Sequence, residues 1–148
     1  GALIVNNPEI DYFFGKVTMY KSFNSDARDQ ILSFMLDRFP DREKLAVPKA
    51  ELNAGINAPQ TEFLKSIDGL DYKSAYNALN NSVKLLGELV PPLVNNYMSL
   101  SSTMRTFGAA NNPDFGDVEE TGILISIKDI YPEKTERHVK SFSENKGA

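Results

Sequence analysis

The sequence contains no cysteine and only one histidine, His138. The absence of cysteine excludes disulfide bonds, thiolate catalysis and zinc sites built on thiolates. Any Ser-His-Asp arrangement would need His138, which stands in a short charged segment without a recognisable nucleophile motif, so a surface histidine is the better interpretation. Internal repeats and shifts in composition are also missing, so residues 1–148 are predicted to form a single domain.

Clusters of basic residues are missing as well. The net charge is −4 and the isoelectric point is near 5.0. Because phosphate neutralisation requires clustered Lys and Arg, nucleic acid is excluded as a partner. The densest group of basic side chains comprises Lys134, Arg137, His138 and Lys140. A short helix there would touch an anionic membrane surface or a carrier protein, or simply present a solvated face.

The sequence opens with Gly1 rather than an initiator methionine. Residues Ala2 to Val5 are apolar, but they are too few for a signal peptide or a membrane span, and no basic leader precedes them. We therefore expect them to end an element that starts upstream, and the chain to be part of a larger, cytoplasmic protein. With 148 residues and 41% hydrophobic content, the chain can form a core without metal or disulfide support.

A strand is predicted at Tyr12 to Tyr20, which is rich in aromatic and β-branched residues and is expected to be buried on both faces. Capping oxygens at Asn24 and Ser25 then predict a helix that Pro40 ends.

Residues 41–69 contain prolines and glycines that predict loops with one short helix at Thr61 to Ile67. Asp71 is a plausible N-cap for a helix that begins at Tyr72, and Pro91 and Pro92 favour the start of another.

Two strands are predicted at Arg105 to Ala110 and Gly122 to Ile127, joined by an acidic turn, and a final helix is predicted at Pro132 to Phe142. These elements indicate an α/β or α+β fold with a small, mostly antiparallel sheet and a helical insertion at about residues 41–100. The sheet edge at Tyr12 to Tyr20 would need a partner, either an upstream strand or a second copy of the chain.

The acidic turn carries the residues best suited to chemistry, namely Asp114, Asp117, Glu119 and Glu120. Clustered carboxylates repel one another, which can raise a pKa towards the range of a general base, and they can also hold a substrate ammonium group. Alternatively, they face water in a turn formed by proline and glycine. The acids lack the spacing of a calcium loop, so no metal site is predicted.

The first predicted strand contains Gly15, which would allow a ligand or another backbone to lie close, or would mark a bulge. The aromatic residues in and after this strand would line an acyl-chain tunnel or form plain core. These residues are Tyr12, Phe13, Phe14, Tyr20 and Phe23.

Three stretches carry a resemblance to a known family. They are Tyr12 to Tyr20 with Asn24 to Arg28, Val90 to Leu100 with Thr103 to Gly108, and Asp114 to Leu124. Together, and in this order, they resemble the C-terminal half of the bacterial hemolysin-type proteins. Those proteins are related to the ornithine-lipid and glycine-lipid N-acyltransferases, which have a GNAT-like fold.

The resemblance implies transfer of a fatty acyl group to the amine of an amino acid in aminolipid synthesis. Acyl carrier protein or coenzyme A would supply the acyl group as a co-substrate, and no permanently bound cofactor is implied. The first strand would splay from an upstream neighbour to admit the acyl thioester, with Tyr12, Phe14, Gly15 and Val17 as substrate-binding residues.

The resemblance also implies roles for the acidic turn. Asp114 and Asp117 would lie near the acceptor amine, and Glu119 or Glu120 would accept its proton as the catalytic residue. The glycine-rich turn that cradles the donor pyrophosphate in the family would precede Gly1, so the chain alone is not expected to be active. A noncatalytic module that binds a lipid, a membrane surface or a carrier protein is the alternative.

Overall fold

The computed structural model describes residues 7–137, and within that range one antiparallel sheet is present. Its strands are β1 (Tyr12–Met19), β2 (Arg105–Asn112) and β3 (Val118–Ser126), in the order β1-β3-β2. The register pairs Tyr12 with Ser126 and Met19 with Glu119. The small antiparallel sheet expected from the sequence is therefore confirmed.

The ends of β2 and β3 differ from the sequence prediction. β2 continues to Asn112, and β3 begins at Val118 rather than at Gly122. A short 3-10 helix, Pro113–Phe115, and two left-handed residues, Gly116 and Asp117, form the connection. Glu119 and Glu120 were expected in this turn, but they lie within β3 because Met19 and Thr18 of β1 pair with them.

The helices between β1 and β2 are α1 (Ser25–Arg38), α2 (Thr61–Ile67), α3 (Tyr72–Leu85) and α4 (Pro92–Met98). The start signals of α1 and α3 are those predicted from the sequence. Asn24 Oδ1 accepts the N–H groups of Asp26 and Ala27 at the start of α1, and Asp71 Oδ1 accepts the N–H of Ser74 at the start of α3.

Residues 41–60 form loops, as predicted, with a 3-10 turn at Ala50–Leu52. The helical part of the expected insertion thus begins only at Thr61. A further helix starts at residue 132 and reaches the end of the described range at 137. The rest of the predicted final helix, with His138 and Lys140, lies outside the described residues, as do Ala2 to Val5. Every helix within residues 7–137 is too short or too polar to traverse a lipid bilayer.

The hydrophobic core lies between one face of the sheet and the helices. β1 and β3 contribute alternate side chains to it, including Val17 and Ile123, and α1 contributes Ile31, Phe34 and Met35. Each strand residue of this face is flanked by neighbours that point to the opposite face. The result is a mixed α+β architecture that is consistent with a partial GNAT-like fold.

The opposite face of the sheet is exposed, so the expectation that β1 is buried on both faces is wrong. The side chains of Tyr12 and Phe14 project from this face, and Phe14 is 58% exposed. Helix α1 packs against the face that carries Val17 and Ile123. We call the exposed side, defined by Tyr12, Phe14, Lys16 and Leu124, the open face.

The two edges of the sheet also differ. The outer edge of β2 is covered, because Thr106 N–H donates to the carbonyl of Phe39 at 2.8 Å and Ala54 N–H donates to that of Ala109 at 2.9 Å. Across residues 7–137, no strand pairs with the outer edge of β1. The predicted edge position of β1 is confirmed.

Candidate functional site

Glu119 and Glu120 are adjacent in β3 and project to opposite faces of the sheet. On the core face, Glu119 Oε2 lies 2.5 Å from Nε of Arg28 in α1. On the open face, Glu120 Oε2 accepts a hydrogen bond from Nζ of Lys16 in β1 at 3.0 Å. The two carboxylates expected to act as one cluster are therefore separated by the sheet, and each has its own cation.

Pairing with Lys16 changes the acid-base chemistry of Glu120. The hydrogen bond from Lys16 holds the pKa of the Glu120 carboxyl below its usual value. The expectation that carboxylate repulsion raises this pKa is therefore wrong for Glu120, because strand alternation removes Glu119 to the other face. A lowered pKa makes Glu120 a weaker proton acceptor.

Arg28 is the centre of a buried hydrogen-bond network that sequence reasoning missed. The residue is 3% exposed, and its neighbour Asp29 is 1% exposed. Besides Glu119, the guanidinium contacts Asp29 Oδ1 at 2.7 Å, the carbonyl of Gly55 at 2.8 Å and the carbonyl of Ala54. Carboxylates and carbonyls thus compensate a cation that would otherwise be costly to bury.

Asp29 completes the network from its second oxygen. Oδ2 accepts the backbone N–H groups of Asn57 at 3.1 Å and Ala58 at 2.9 Å. Together, Arg28 and Asp29 fix the loop of residues 54–58 against α1 and β3. One sequence signal for the burial of Arg28 was available. Arg28 stands four residues before Leu32, so both side chains lie on the same side of the helix.

A cavity of about 230 Å³ lies beside this network, between the end of β1 and the start of α1. Its lining combines two aromatic rings with polar and charged side chains. The lining residues are Tyr20, Lys21, Phe23, Ser25, Arg28, Asn57 and Glu119. We call it the Glu119 cavity, because Glu119 is the one member of the predicted acidic group that reaches it.

Asp114 and Asp117 do not join Glu119. Both are exposed on the connection between β2 and β3, and Asp117 has a left-handed backbone with φ of 56°. Asn112 Oδ1 accepts the N–H of Asp114 and fixes the start of this connection. The alternative prediction, that the acids face water in a turn, thus describes these two aspartates, whereas the two glutamates belong to the sheet.

The predicted substrate-binding residues of β1 are also divided by the sheet. Tyr12 and Phe14 lie on the open face, where the Phe14 ring stacks on Phe107 with centroids 6.2 Å apart. Val17 is 1% exposed and faces the helices. Gly15 shares the side of Val17.

The space above Gly15 is filled by Tyr97 of α4. A Cβ atom at Gly15 would stand 2.9 Å from the Tyr97 hydroxyl oxygen and 3.0 Å from a ring carbon of Phe13. The missing side chain therefore makes room for an aromatic ring of the same chain. This packing explains the glycine without a bulge, since β1 pairs with β3 in unbroken register.

A second cavity, of about 380 Å³, opens on the end of the open face. Tyr12 and Leu124 form its apolar wall, and Arg42, Arg105 and Lys128 bring positive charge to it. Glu43, which pairs with Arg105, and Asp129 also line the cavity and offset part of that charge. The cavity thus combines an apolar wall with charged groups of both signs, in which cations exceed anions by one.

Comparison with known proteins reveals two curated relatives named glycine N(alpha)-acyltransferase. One, from Phocaeicola vulgatus, is 49% identical over 142 residues, which are 96% of this chain and 43% of the relative. The other, from Bacteroides thetaiotaomicron, is 49% identical over 146 residues, which are 98% of this chain and 42% of the relative. The chain therefore spans less than half the length of either relative.

No protein-family model matches the chain, and no solved structure matches it. Both relatives are similar to nearly the whole chain, and the activity that their name states is that of these longer proteins.

Proposed function

We propose that the chain is the C-terminal portion of an N-acyltransferase that moves a fatty acyl group to the amino group of an amino acid, with glycine as the first candidate acceptor. The observation that carries this proposal is the similarity of almost the entire chain to two proteins named glycine N(alpha)-acyltransferase. The product would serve membrane aminolipid synthesis, in line with the resemblance to the hemolysin-type and aminolipid proteins, which stays a prediction.

The proposed reaction joins the acceptor amine to the carbonyl carbon of an acyl thioester. The nitrogen attacks that carbon, a C–N bond forms, the C–S bond breaks, and the thiol leaves with a proton. The amine must be neutral when it attacks, so a carboxylate, directly or through one water, would accept its proton. Backbone N–H groups would stabilise the oxyanion of the tetrahedral intermediate.

Glu119 is our first choice for the proton acceptor, and Glu120 is the second. Glu119 lines a cavity large enough for a small ligand, and its contact with Arg28 fixes the position of the carboxylate. Glu120 lies on the other face with a lowered pKa. Asp114 and Asp117, exposed in the connection that precedes β3, would attract the acceptor ammonium group through solvent.

Tyr12 and Phe14 are proposed to contact the acyl donor on the open face, while Gly15 and Val17 shape the strand from the core side. An acyl thioester of acyl carrier protein or coenzyme A combines an apolar chain with phosphate. The cavity beside Tyr12 offers the matching combination of apolar wall and cations such as Arg42 and Lys128. No permanently bound cofactor is needed for this step.

The proposed setting is the cytoplasm, with peripheral contact at the inner face of the membrane where an acylated amino acid would be delivered. Acyl carrier protein is the proposed protein partner. The outer edge of β1 would take a strand from the rest of a longer protein or, in the isolated chain, from a second copy in a homodimer.

A hybrid enzyme tests the proposed reaction. This chain would replace its matching region in the relative from Bacteroides thetaiotaomicron, and the hybrid would receive long-chain acyl carrier protein and glycine. Mass spectrometry should detect N-acylglycine. A folded hybrid that forms no acylated amine, but binds the carrier protein or lipid, would contradict the proposal and support a noncatalytic module.

Two variants of the hybrid separate the candidate proton acceptors. Glu119→Gln should lower kcat by about 10²-fold or more, the usual contribution of a general base. Glu120→Gln should lower it far less if Glu119 has this role. The reverse order would transfer the role to Glu120 and leave the proposed reaction intact.

A further inference from the structure

We propose that the Glu119 cavity binds the acceptor as a zwitterion, recognising its ammonium group through Glu119 and its carboxylate through Lys21. This inference rests on the proposed function and deepens it, since it assigns the residues that would hold the amino acid acceptor. It follows from two charged groups of opposite sign that line one small cavity and retain unused hydrogen-bonding capacity.

Glu119 supplies the negative side of the cavity. The contact from Arg28 uses only Oε2, and Oε1 makes no hydrogen bond with any of residues 7–137. The Glu119 side chain is 21% exposed, so solvent or a ligand can reach it. Because Arg28 is held by four groups in total, it orients the carboxylate without closing the cavity.

Lys21 supplies the positive side. It stands in a turn closed by the hydrogen bond from Phe23 N–H to the carbonyl of Tyr20 at 2.9 Å. Its ammonium group forms no ion pair within the described part of the chain, unlike that of Lys16. A ligand carboxylate is the natural partner for such a cation.

The start of α1 reinforces the positive side. Ser25, the first residue of the helix, lines the cavity with a hydroxyl group that can donate to a carboxylate. The N-terminal end of a helix also favours a nearby anion. Glu88 Oε1 accepts the N–H of Asn24 at 2.9 Å, so this acid is engaged in fixing the turn.

The size and lining of the cavity favour a small acceptor. The volume of about 230 Å³, walled in part by the rings of Tyr20 and Phe23, is suited to a small acceptor. A ligand with both charges and little or no side chain satisfies Glu119 and Lys21 together. An amine without a carboxylate, or with a large side chain, is expected to bind more weakly in this cavity.

Nuclear magnetic resonance titration of the chain tests this inference. Glycine should shift the amide signals of Lys21, Ser25, Asn57 and Glu119. Glycinamide, which lacks the carboxylate, and acetate, which lacks the amine, should each bind about tenfold more weakly, the size of one charge-assisted contact. Equal binding of all three compounds, or no shift at these amides with glycine, would overturn the inference.

Matched variants identify the charge that matters. Lys21→Met should weaken glycine binding about tenfold, Lys21→Arg should retain most of it, and Lys16→Met, on the open face, should bind as the unmodified chain does. Unchanged binding by Lys21→Met would also reject the inference. If the hybrid enzyme acylates glycine while these amides do not respond, the proposed function stands and the zwitterion site is wrong.

Discussion

The two faces of the sheet place the same residue types in opposite environments. On the core face, Glu119 meets a buried guanidinium, whereas one residue later Glu120 meets an exposed ammonium group. Glycine shows the same contrast, because Gly15 lies under Tyr97 in the core and Gly122 lies under the exposed ring of Phe14. Side chains alternate between the two faces along a strand. The position of a residue in this alternation, rather than its type, thus decides whether it is buried in the core or exposed.

The ion pairs should show the largest difference between the faces. Arg28→Met leaves Glu119 and Asp29 without their cation and should lower the free energy of unfolding by about 3–5 kcal/mol. Lys16→Met removes an exposed pair and should cost less than about 1 kcal/mol. Urea denaturation measures both values.

The dependence on salt concentration further separates the two ion pairs. High ionic strength should weaken the contribution of Lys16 and leave that of Arg28 nearly unchanged, since buried pairs are poorly screened. Similar losses of unfolding free energy in Arg28→Met and Lys16→Met would mean that the two faces are equally accessible to solvent.

The two strand glycines should show an intermediate difference. Gly15→Ala places its Cβ 2.9 Å from the Tyr97 hydroxyl and should cost about 1–3 kcal/mol through overpacking. Gly122→Ala meets Phe14 at 3.3 Å, and that ring can move into solvent, so its cost should stay within about 0.5 kcal/mol. Thermal and urea unfolding of the two variants provide the measurement.

A double variant checks the physical reason. Because the nearest atom to the added methyl group is the Tyr97 oxygen, Tyr97→Phe should recover part of the stability lost in Gly15→Ala. Additive losses in the double variant would show that Gly15 is required for another reason.

The smallest expected difference is the pH dependence of the pair on the open face. Lys16 lowers the pKa of Glu120 from its usual 4.5, so the unfolded chain binds more protons here than the folded chain as the medium becomes acidic. The stabilisation is present above pH 4.5 and is lost as pH falls through the lowered pKa. The stability gap between the unmodified chain and Lys16→Met should therefore narrow between pH 7 and pH 3 in urea denaturation.

A gap that stays constant across this pH range would mean that the lysine contributes by packing alone. The same titration of Arg28→Met would not serve as a control, because that variant also disturbs the loop of residues 54–58.

The helices could be predicted because their signals are local. Asn24, Asp71 and Pro92 each act within one turn of the helix they start, and the structure confirms α1, α3 and α4. The short helix at Thr61–Ile67 is also confirmed, although no side chain caps its start. Such signals do not depend on where the rest of the chain goes.

The site could not be predicted to the same extent, because its contacts join distant residues. Acidic composition suggested a turn through Glu119 and Glu120, but pairing with β1 and two distant cations make this segment a strand. The role of Arg28 depends on carbonyls at residues 54 and 55, which no local pattern connects to it. The low strand propensity of glutamate is outweighed by such tertiary contacts.

The pairing of β1 with β3 also governs when the chain can fold during its own synthesis. Lys16 and Glu120 are 104 residues apart, and Arg28 and Glu119 are 91 residues apart. The aromatic strand β1 therefore leaves the ribosome long before its partner exists. Until β3 emerges, the backbone of β1 and its core side chain Val17 are open to chaperones or to neighbouring nascent chains.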